Sequence, residues 1–365
     1  MTPEDPPPEV PSGLRILAVE SSCDETAVAV VEDGRRIIAS VVASQTPLHA
    51  PTGGIVPEVA ARAHLRWMLP VLDEALQRAG LDSPADVDAI AVTFGPGLAG
   101  SLLVGLSMAK TLAFLHDRPL VAVNHLEGHV YAAWLLARGD DEPAPEFPAL
   151  ALVVSGGHTL LAEMPGHGDL RLLGRTVDDA AGEAFDKVGR MLGLPYPGGP
   201  AIERAAAGAP SNHARHRLPR AWLGDSLDLS FSGLKTAVRR MLTAEAGGTA
   251  DEGVAMPPDL VAVVAAEFQA SVVEVLTMKA ATAAARIGAR SIIVGGGVAA
   301  NGPLRAAIGE RAVALGIRLV LPRREYCTDN AAMIGAAGYR RFLAGERAGL
   351  DLAARPSAKL GASAA

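Results

Sequence analysis

The feature that most constrains the fold is a repeated opening. LAVESSCDETAVAVVEDG, from Leu17, and LALVVSGGHTLLAEMPGHG, from Leu150, share a rhythm while sharing few residues. Each runs from an apolar Val/Leu-rich stretch through a small polar loop into a second apolar stretch and a Gly turn. That pattern predicts a β-hairpin crossing over a loop, used twice. After each opening, helical spacings alternate with short Val/Ile-rich runs, the signature of α/β architecture. Val59–Ala79, Leu98–Leu115 and His125–Gly139 read as helices in the first half, and DAIAVTFGPG and LVAVN as strands. In the second half Asp179–Leu192, FSGLKTAVRRMLTA and the long run from Asp259 read as helices. SIIVGGG and RLVLP are strands, and a last helix opens at Thr328-Asp329-Asn330. Two such halves predict a duplicated, two-lobed α/β chain with a cleft between the lobes.

The expected organisation is a flexible tail over 1–13, a first lobe over 14–145, a second over 146–327, and a flexible tail over 356–365. The helix at about 328–350 is expected to return to the first lobe. The Pro-rich string DDEPAPEFP, Asp140–Pro148, is the joint. With 49% apolar and 20% charged residues, the 365-residue chain is not a mainly disordered one. Two cysteines, Cys23 and Cys327, exclude a disulfide scaffold. The acidic Pro-rich start carries no basic region or apolar core of an export signal, and Leu98–Leu115 is broken by Gly, Ser and Lys110, so a buried helix and a cytoplasmic protein without membrane association are expected. A net charge of −7 argues against a surface that coats nucleic acid, leaving room for local arginine clusters such as Arg204, Arg215, Arg217, Arg220, Arg239, Arg240, Arg323 and Arg324. Of 33 basic residues only five are lysines, so Lys187 and Lys235, which fall inside motifs, are candidates for nucleotide or RNA contacts.

Six strings suit chemistry. In HLEGH, His125 and His129 stand four residues apart, one above the other on a helix, so both imidazoles can reach one metal ion. Asn124 is placed to cap that helix with Glu127 as its capping-box partner. A zinc peptidase needs its glutamate directly after the first histidine; here Leu126 occupies that place. VVSGGHT lets a backbone turn pass close to a ligand and cradle an anion on its N–H groups. SSCDET puts two carboxylates, Asp24 and Glu25, in the matching loop of the first half. GEAFDKVGR followed by LPYPGGP sets Asp186 beside a Gly loop with Glu203 beyond, an arrangement suited to ribose hydroxyls. IIVGGGVAANGPLR runs a strand into glycines, Asn301 and a helix start, where nucleotides often sit, although it is no dinucleotide fingerprint. In CTDNAAMIG, Thr328 or Asp329 can cap a helix.

Taken in order, ESSCDETAVAVV, HLEGHVYA, LVVSGGHT, GEAFDKVGRMLGLPYPGGP, FSGLKTAV, GGGVAANGPLR and CTDNAAMIG resemble the TsaD family of tRNA N6-adenosine threonylcarbamoyltransferases, from about Glu20 to Gly335. The resemblance implies the actin/sugar-kinase/DnaK-type ATPase fold. It implies transfer of threonylcarbamoyl from threonylcarbamoyl-AMP to N6 of the adenosine at position 37 of tRNAs reading codons that begin with A. It implies one divalent metal per subunit, iron in preference to zinc, on His125, His129 and Asp329. Val153, Val154, Ser155, Gly156, Gly157, Asp186, Gly199, Glu203 and Asn301 are the implied substrate contacts. A TsaB-like paralogue and a TsaE-like ATPase are the implied partners. Because the donor is already an activated anhydride, no covalent nucleophile is required. Asp24 or Glu25 is the candidate base toward the weakly nucleophilic N6 amine. A metallopeptidase on HLEGH, and a nucleotide-dependent chaperone of the same fold, are the competing readings.

Overall fold

A computed structural model describes residues 12–137, 139–210 and 217–362. Most of the expected N-terminal tail, Arg215 and the last three residues lie outside the described residues. The elements are β1 (Arg15–Glu20), β2 (Glu25–Glu32), β3 (Arg36–Ser44), α1 (Thr46–His49), α2 (Pro57–Ala79), β4 (Ala89–Gly95), α3 (Ala99–His116), β5 (Leu120–Asn124) and α4 (His125–Tyr131). They continue with β6 (Ala149–Val154), β7 (Thr159–Gly166), β8 (Asp169–Arg175), α5 (Ala181–Met191), α6 (Gly198–Ala206), α7 (Ser232–Ala246), α8 (Pro258–Ile287), β9 (Ser291–Gly295), α9 (Gly302–Leu315), β10 (Arg318–Val320) and α10 (Ala331–Leu343).

The repeat seen in the sequence is a repeat in space. One five-stranded sheet runs β3-β2-β1-β4-β5 and the other β8-β7-β6-β9-β10. In each, the hairpin opening gives three antiparallel strands, and two crossover strands then join in parallel.

Period-two alternation sorts the core. On β1 and β2 the larger Leu17, Val19, Val28 and Val30 face α2 and α3, while Ile16, Ala18, Ala27, Ala29 and Val31 face α10. On β6, Leu150, Leu152 and Val154 face the α5–α9 core, while Ala149, Ala151 and Val153 face α4. The inner faces are thus rich in alanine, and the two helices that touch each other between the sheets, α4 and α10, lie close against them. A Cβ on Gly338 of α10 would fall 2.6 Å from Ala91 Cβ on β4, and one on Gly335 2.7 Å from Val31 Cγ2 on β2.

Two expectations change. The segment after 355 is docked: Arg355 N–H donates to Phe94 O, Gly97 N–H to Pro356 O, and Asn124 Nδ2 to Lys359 O (2.8 Å). Its Ala/Ser/Gly composition predicts flexibility, but its backbone finds partners at the C-terminal ends of β4 and β5. The apolar helix α3 is buried on one face only, with Leu103, Phe114 and Leu115 left in solvent. By length and composition α3 and α8 could each cross a bilayer, yet two thirds of the apolar window of α8 is buried inside the protein.

The close approach of α10 gives a direct test. Gly338→Val forces a side chain into Ala91 and is expected to cost about 1–3 kcal/mol in chemical denaturation, as core overpacking does.

Candidate active site

The site begins with two helix caps. Asn124 Oδ1 accepts from Leu126 N–H (2.9 Å) and starts α4, so His125 and His129 both leave the same side of a short helix that is buried throughout. At the far end of the chain Asn330, not Thr328 or Asp329, caps α10, its Oδ1 accepting from Met333 N–H (3.0 Å). That leaves the carboxylate of Asp329 free to turn toward α4. Asp329 Oδ1 lies 3.5 Å from His125 Nε2 and 3.2 Å from His129 Nε2. The three ligand atoms sit within 4.8 Å of one another.

His129 is wholly buried, and neither ring nitrogen makes an aligned hydrogen bond; the approach of Asp329 to Nε2 is close without that alignment. A buried imidazole without such a partner is costly unless something else meets it. Two imidazoles and a carboxylate are a donor set for a transition metal. The residues therefore fit a divalent ion. Burial disfavours charge on His125, but Asp329 and Glu20 outweigh it and push its pKa up to about 9. Burial holds His129 down. Burial would raise Asp329, yet the two imidazoles hold it well below the usual carboxylate range.

Behind this cluster stands Glu20, at the end of β1 and fully buried. Its Oε2 accepts from Thr93 Oγ1 (2.6 Å) and meets His125 Nδ1 at 3.1 Å, while Oε1 accepts from Ser22 N–H (2.5 Å). This fixes which nitrogen of His125 faces Asp329. Glu20 was not among the sequence candidates; its signal is an acidic residue closing an otherwise apolar strand. Glu127 makes no capping box. It binds Arg341 at 2.6 and 2.9 Å and is almost fully buried, so it is unavailable as the base of a peptidase. The helix also stops at Tyr131 rather than running to Gly139, where a short 3₁₀ turn, Ala132–Trp134, follows.

Asp24 ends the β1–β2 loop and Glu25 opens β2, a junction that His64 of α2 clamps through Thr26 Oγ1 (2.7 Å) and Cys23 O (3.0 Å). Burial drives the Glu25 carboxyl well above the usual range, and repulsion from Asp329 and Asp24 adds to it. Burial raises the Asp186 carboxyl and the Tyr196 hydroxyl, and Asp24 adds to both, so this loop faces the second lobe. Arg190 of α5 donates to Gly53 O, tying the two lobes at the same mouth.

On the second lobe, Ser155, Gly156 and Gly157 form the β6–β7 turn, closed by Ser155 N–H to His158 O (2.7 Å). The N–H groups of Gly156 and Gly157 take part in no hydrogen bond among the described residues, and both glycines have open space where a Cβ would be. Burial depresses His158 to about 4, and the imidazoles of His125 and His129 add to it, which puts this turn beside the His125–His129–Asp329 cluster. Val153 and Val154 are different: both side chains are wholly buried in the core, on opposite faces, and only their backbone can approach a ligand. Asp186 Oδ1 accepts from Gly198 N–H (2.8 Å), and Gly199 lies open at the start of α6. Glu203 and Asn301 meet each other (3.2 Å). Lys187 and Lys235 are not free for a ligand: Asp179 binds them at 3.0 and 3.3 Å, and Glu183 also holds Lys187 (2.7 Å).

The tRNA N6-adenosine threonylcarbamoyltransferase family, TsaD, matches residues 36–336. The enzyme so named from Thermomicrobium roseum is 54% identical over 351 residues, covering 92% of this chain and 94% of that one. The one from Symbiobacterium thermophilum is 53% identical over 346 residues, covering 95% and 97%. Among solved structures, HypF of T. kodakarensis superposes with a TM-score of 0.59 at 14% identity, over 92% of this chain and 48% of its own; at that identity the likeness is one of fold. The two-lobed architecture therefore places the molecule in the actin/sugar-kinase/DnaK-type fold class. Within that class the chain belongs to the TsaD family, and it is a transferase that modifies N6 of adenosine in tRNA.

The metal cluster yields a measurable consequence. His129→Ala is expected to abolish stoichiometric metal in the purified protein by elemental analysis. Glu20→Gln should weaken metal affinity about 10- to 100-fold in chelator competition, the usual effect of losing a partner behind a ligating histidine.

Proposed function

We propose that the cleft transfers the threonylcarbamoyl group of threonylcarbamoyl-AMP to N6 of adenosine 37, beside the anticodon, in tRNAs that read codons beginning with A. The observation that carries this is the buried His125–His129–Asp329 cluster standing beside the open Ser155–Gly157 turn. His125, His129 and Asp329 would hold one divalent ion per subunit, iron in preference to zinc. When bound, that ion supplies positive charge to hold or polarise the carbamoyl end of the donor.

The chain's own residues account for the rest. The free N–H groups of Gly156 and Gly157 receive the phosphate of the leaving AMP. The Val153 and Val154 backbone supports that turn. Asp186 and the open backbone at Gly199 flank the ribose, and Glu203 and Asn301 close the far end of the nucleotide site. The N6 nitrogen attacks the carbamoyl carbon, a C–N bond forms, the C–O bond to phosphate breaks, and AMP leaves with its electron pair. The N6 proton passes to the acidic loop. Burial raises the Glu25 carboxyl well above its ordinary range, which favours its protonated form, so Asp24 takes the proton while Glu25 keeps the loop's charge low.

The acceptor is polyanionic and the chain acidic, and several arginines of the expected clusters are committed: Arg220 to Glu274 (2.8 Å), Arg239 to Glu252 (3.3 Å) and Arg323 to Asp140 (2.5 Å). The enzyme therefore shares tRNA binding with partners in the cytoplasm, a TsaB-like paralogue and a TsaE-like ATPase. What supports a protein partner is the exposed apolar face of α2 and α3, with Leu65 68%, Leu69 61% and Phe114 71% exposed.

Three outcomes check this. In cells depleted of the endogenous enzyme, wild type should restore threonylcarbamoyladenosine to tRNA by nucleoside mass spectrometry, and the His125→Ala/His129→Ala pair should not. Asp24→Asn should lower kcat about 100-fold or more with little change in donor KM, whereas Glu25→Gln should be milder. Leu69→Asp with Phe114→Asp should abolish co-elution with the paralogue while leaving the melting temperature of the chain alone unchanged.

A further inference from the structure

A chain of hydrogen bonds fixes the orientation of a side chain outside the expected site. Asn301 caps α9, and its Oδ1 accepts from Leu304 N–H (3.0 Å). An amide whose oxygen is committed to a backbone donor must present its nitrogen on the other side. Asn301 Nδ2 accordingly donates to Gln269 Oε1 (2.8 Å) and Glu203 Oε2 (3.2 Å). Glu203 Oε1 is taken by Gly302 N–H (3.1 Å). The oxygen of Gln269 is therefore turned to Asn301, which leaves Nε2 free of that bond, and Gln269 lines the groove between α6, α8 and α9.

That groove holds about 690 Å³, within the range of small-ligand sites. Near Gln269 its walls are small and flat: Ala206, Ala207, Ala266, Ala270 and Pro303. Such walls admit a planar ring without imposing a shape of their own. Of the polar groups at this end, Glu203 and Asn301 have their acceptors spent on backbone and on each other. Gln269 Nε2 is the group with donating capacity left, on a residue only 7% exposed. Deeper along α8, Thr277 Oγ1 is buried without a hydrogen-bond partner and lines the same groove.

We propose that Gln269 is a specificity-determining residue for the donor, its Nε2 donating a hydrogen bond to a ring nitrogen of the purine base of the leaving nucleotide. This rests on the reading that the Glu203–Asn301 end of the groove takes the nucleotide. Asn301 and Glu203 act as positioning residues: they hold the carboxamide in the donating orientation.

The test pairs protein and ligand changes. Binding of AMP and of its 1-deaza, 3-deaza and 7-deaza analogues is measured by calorimetry on the full-length metal-loaded protein. Wild type should bind one of the three analogues about five- to tenfold more weakly than AMP, the loss expected for one neutral hydrogen bond. Gln269→Ala should bind AMP as weakly as that analogue, with no further loss between them. Gln269→Glu keeps an acceptor for Asn301 but removes the donor. It should melt with wild type, lose AMP affinity at least as much as the alanine variant, and raise donor KM with kcat little changed. Equal binding of all four nucleotides by wild type, or a gap that persists in Gln269→Ala, would overturn the assignment. Failure of wild type to bind AMP at all would instead overturn the nucleotide reading beneath it.

Discussion

Everything in the site depends on the contact between α4 and α10. The two helices lie far apart in the chain and meet between the sheets, where many of the facing strand residues are alanine. A Cβ on Gly128 would stand 2.7 Å from Ile334 Cδ1, so the helices touch at a separation that a larger residue would forbid. That separation brings Asp329, one residue before the α10 cap, against the paired histidines of α4. The hydrophobic effect thus assembles a polar cluster: burial of Ala331, Ala332, Ala336 and Ala337 in the core between the sheets sets the position of a carboxylate that itself contributes nothing to the core.

The electrostatic design follows from that placement. Two imidazoles and two carboxylates, Glu20 and Asp329, share one dry region. Opposite charges make the burial tolerable, and each member is oriented by another group. Glu20 is itself held by Thr93 and by the Ser22 N–H, so the orientation of His125 traces back to the first and fourth strands of the sheet. Across the cleft the second lobe offers backbone rather than charge, a glycine turn with free N–H groups. One lobe carries the His125–His129–Asp329 cluster and the acidic loop, and the other the open glycine turn and the groove beside Glu203. The proposed chemistry falls where the duplicated hairpin loops face each other.

Much of this was legible in the sequence because it is local. The twin hairpins, the i, i+4 histidines, the Asn124 cap and the glycine turn need only neighbours in the chain. What was not legible needs partners far away. Glu127 reads as half of a capping box until Arg341, 214 residues on, claims it. Thr328, Asp329 and Asn330 are all capable caps, and the sequence does not say which one remains to bind a ligand. Lys187 and Lys235 look available until Asp179 is placed between them. Val153 and Val154 lie in a motif expected to contact substrate, yet strand alternation sends both side chains into the core. The docked C-terminal segment is invisible for the same reason: its composition is that of a flexible end, and only the C-terminal ends of β4 and β5 show where its backbone bonds go.

The most direct test of the central claim is anomalous X-ray diffraction from crystals of the metal-loaded protein, recorded on either side of the iron and zinc absorption edges. The account predicts a single strong peak bounded by His125, His129 and Asp329, present for iron. A metal bound elsewhere, or full transferase activity from protein that shows no peak at this cluster, would contradict it.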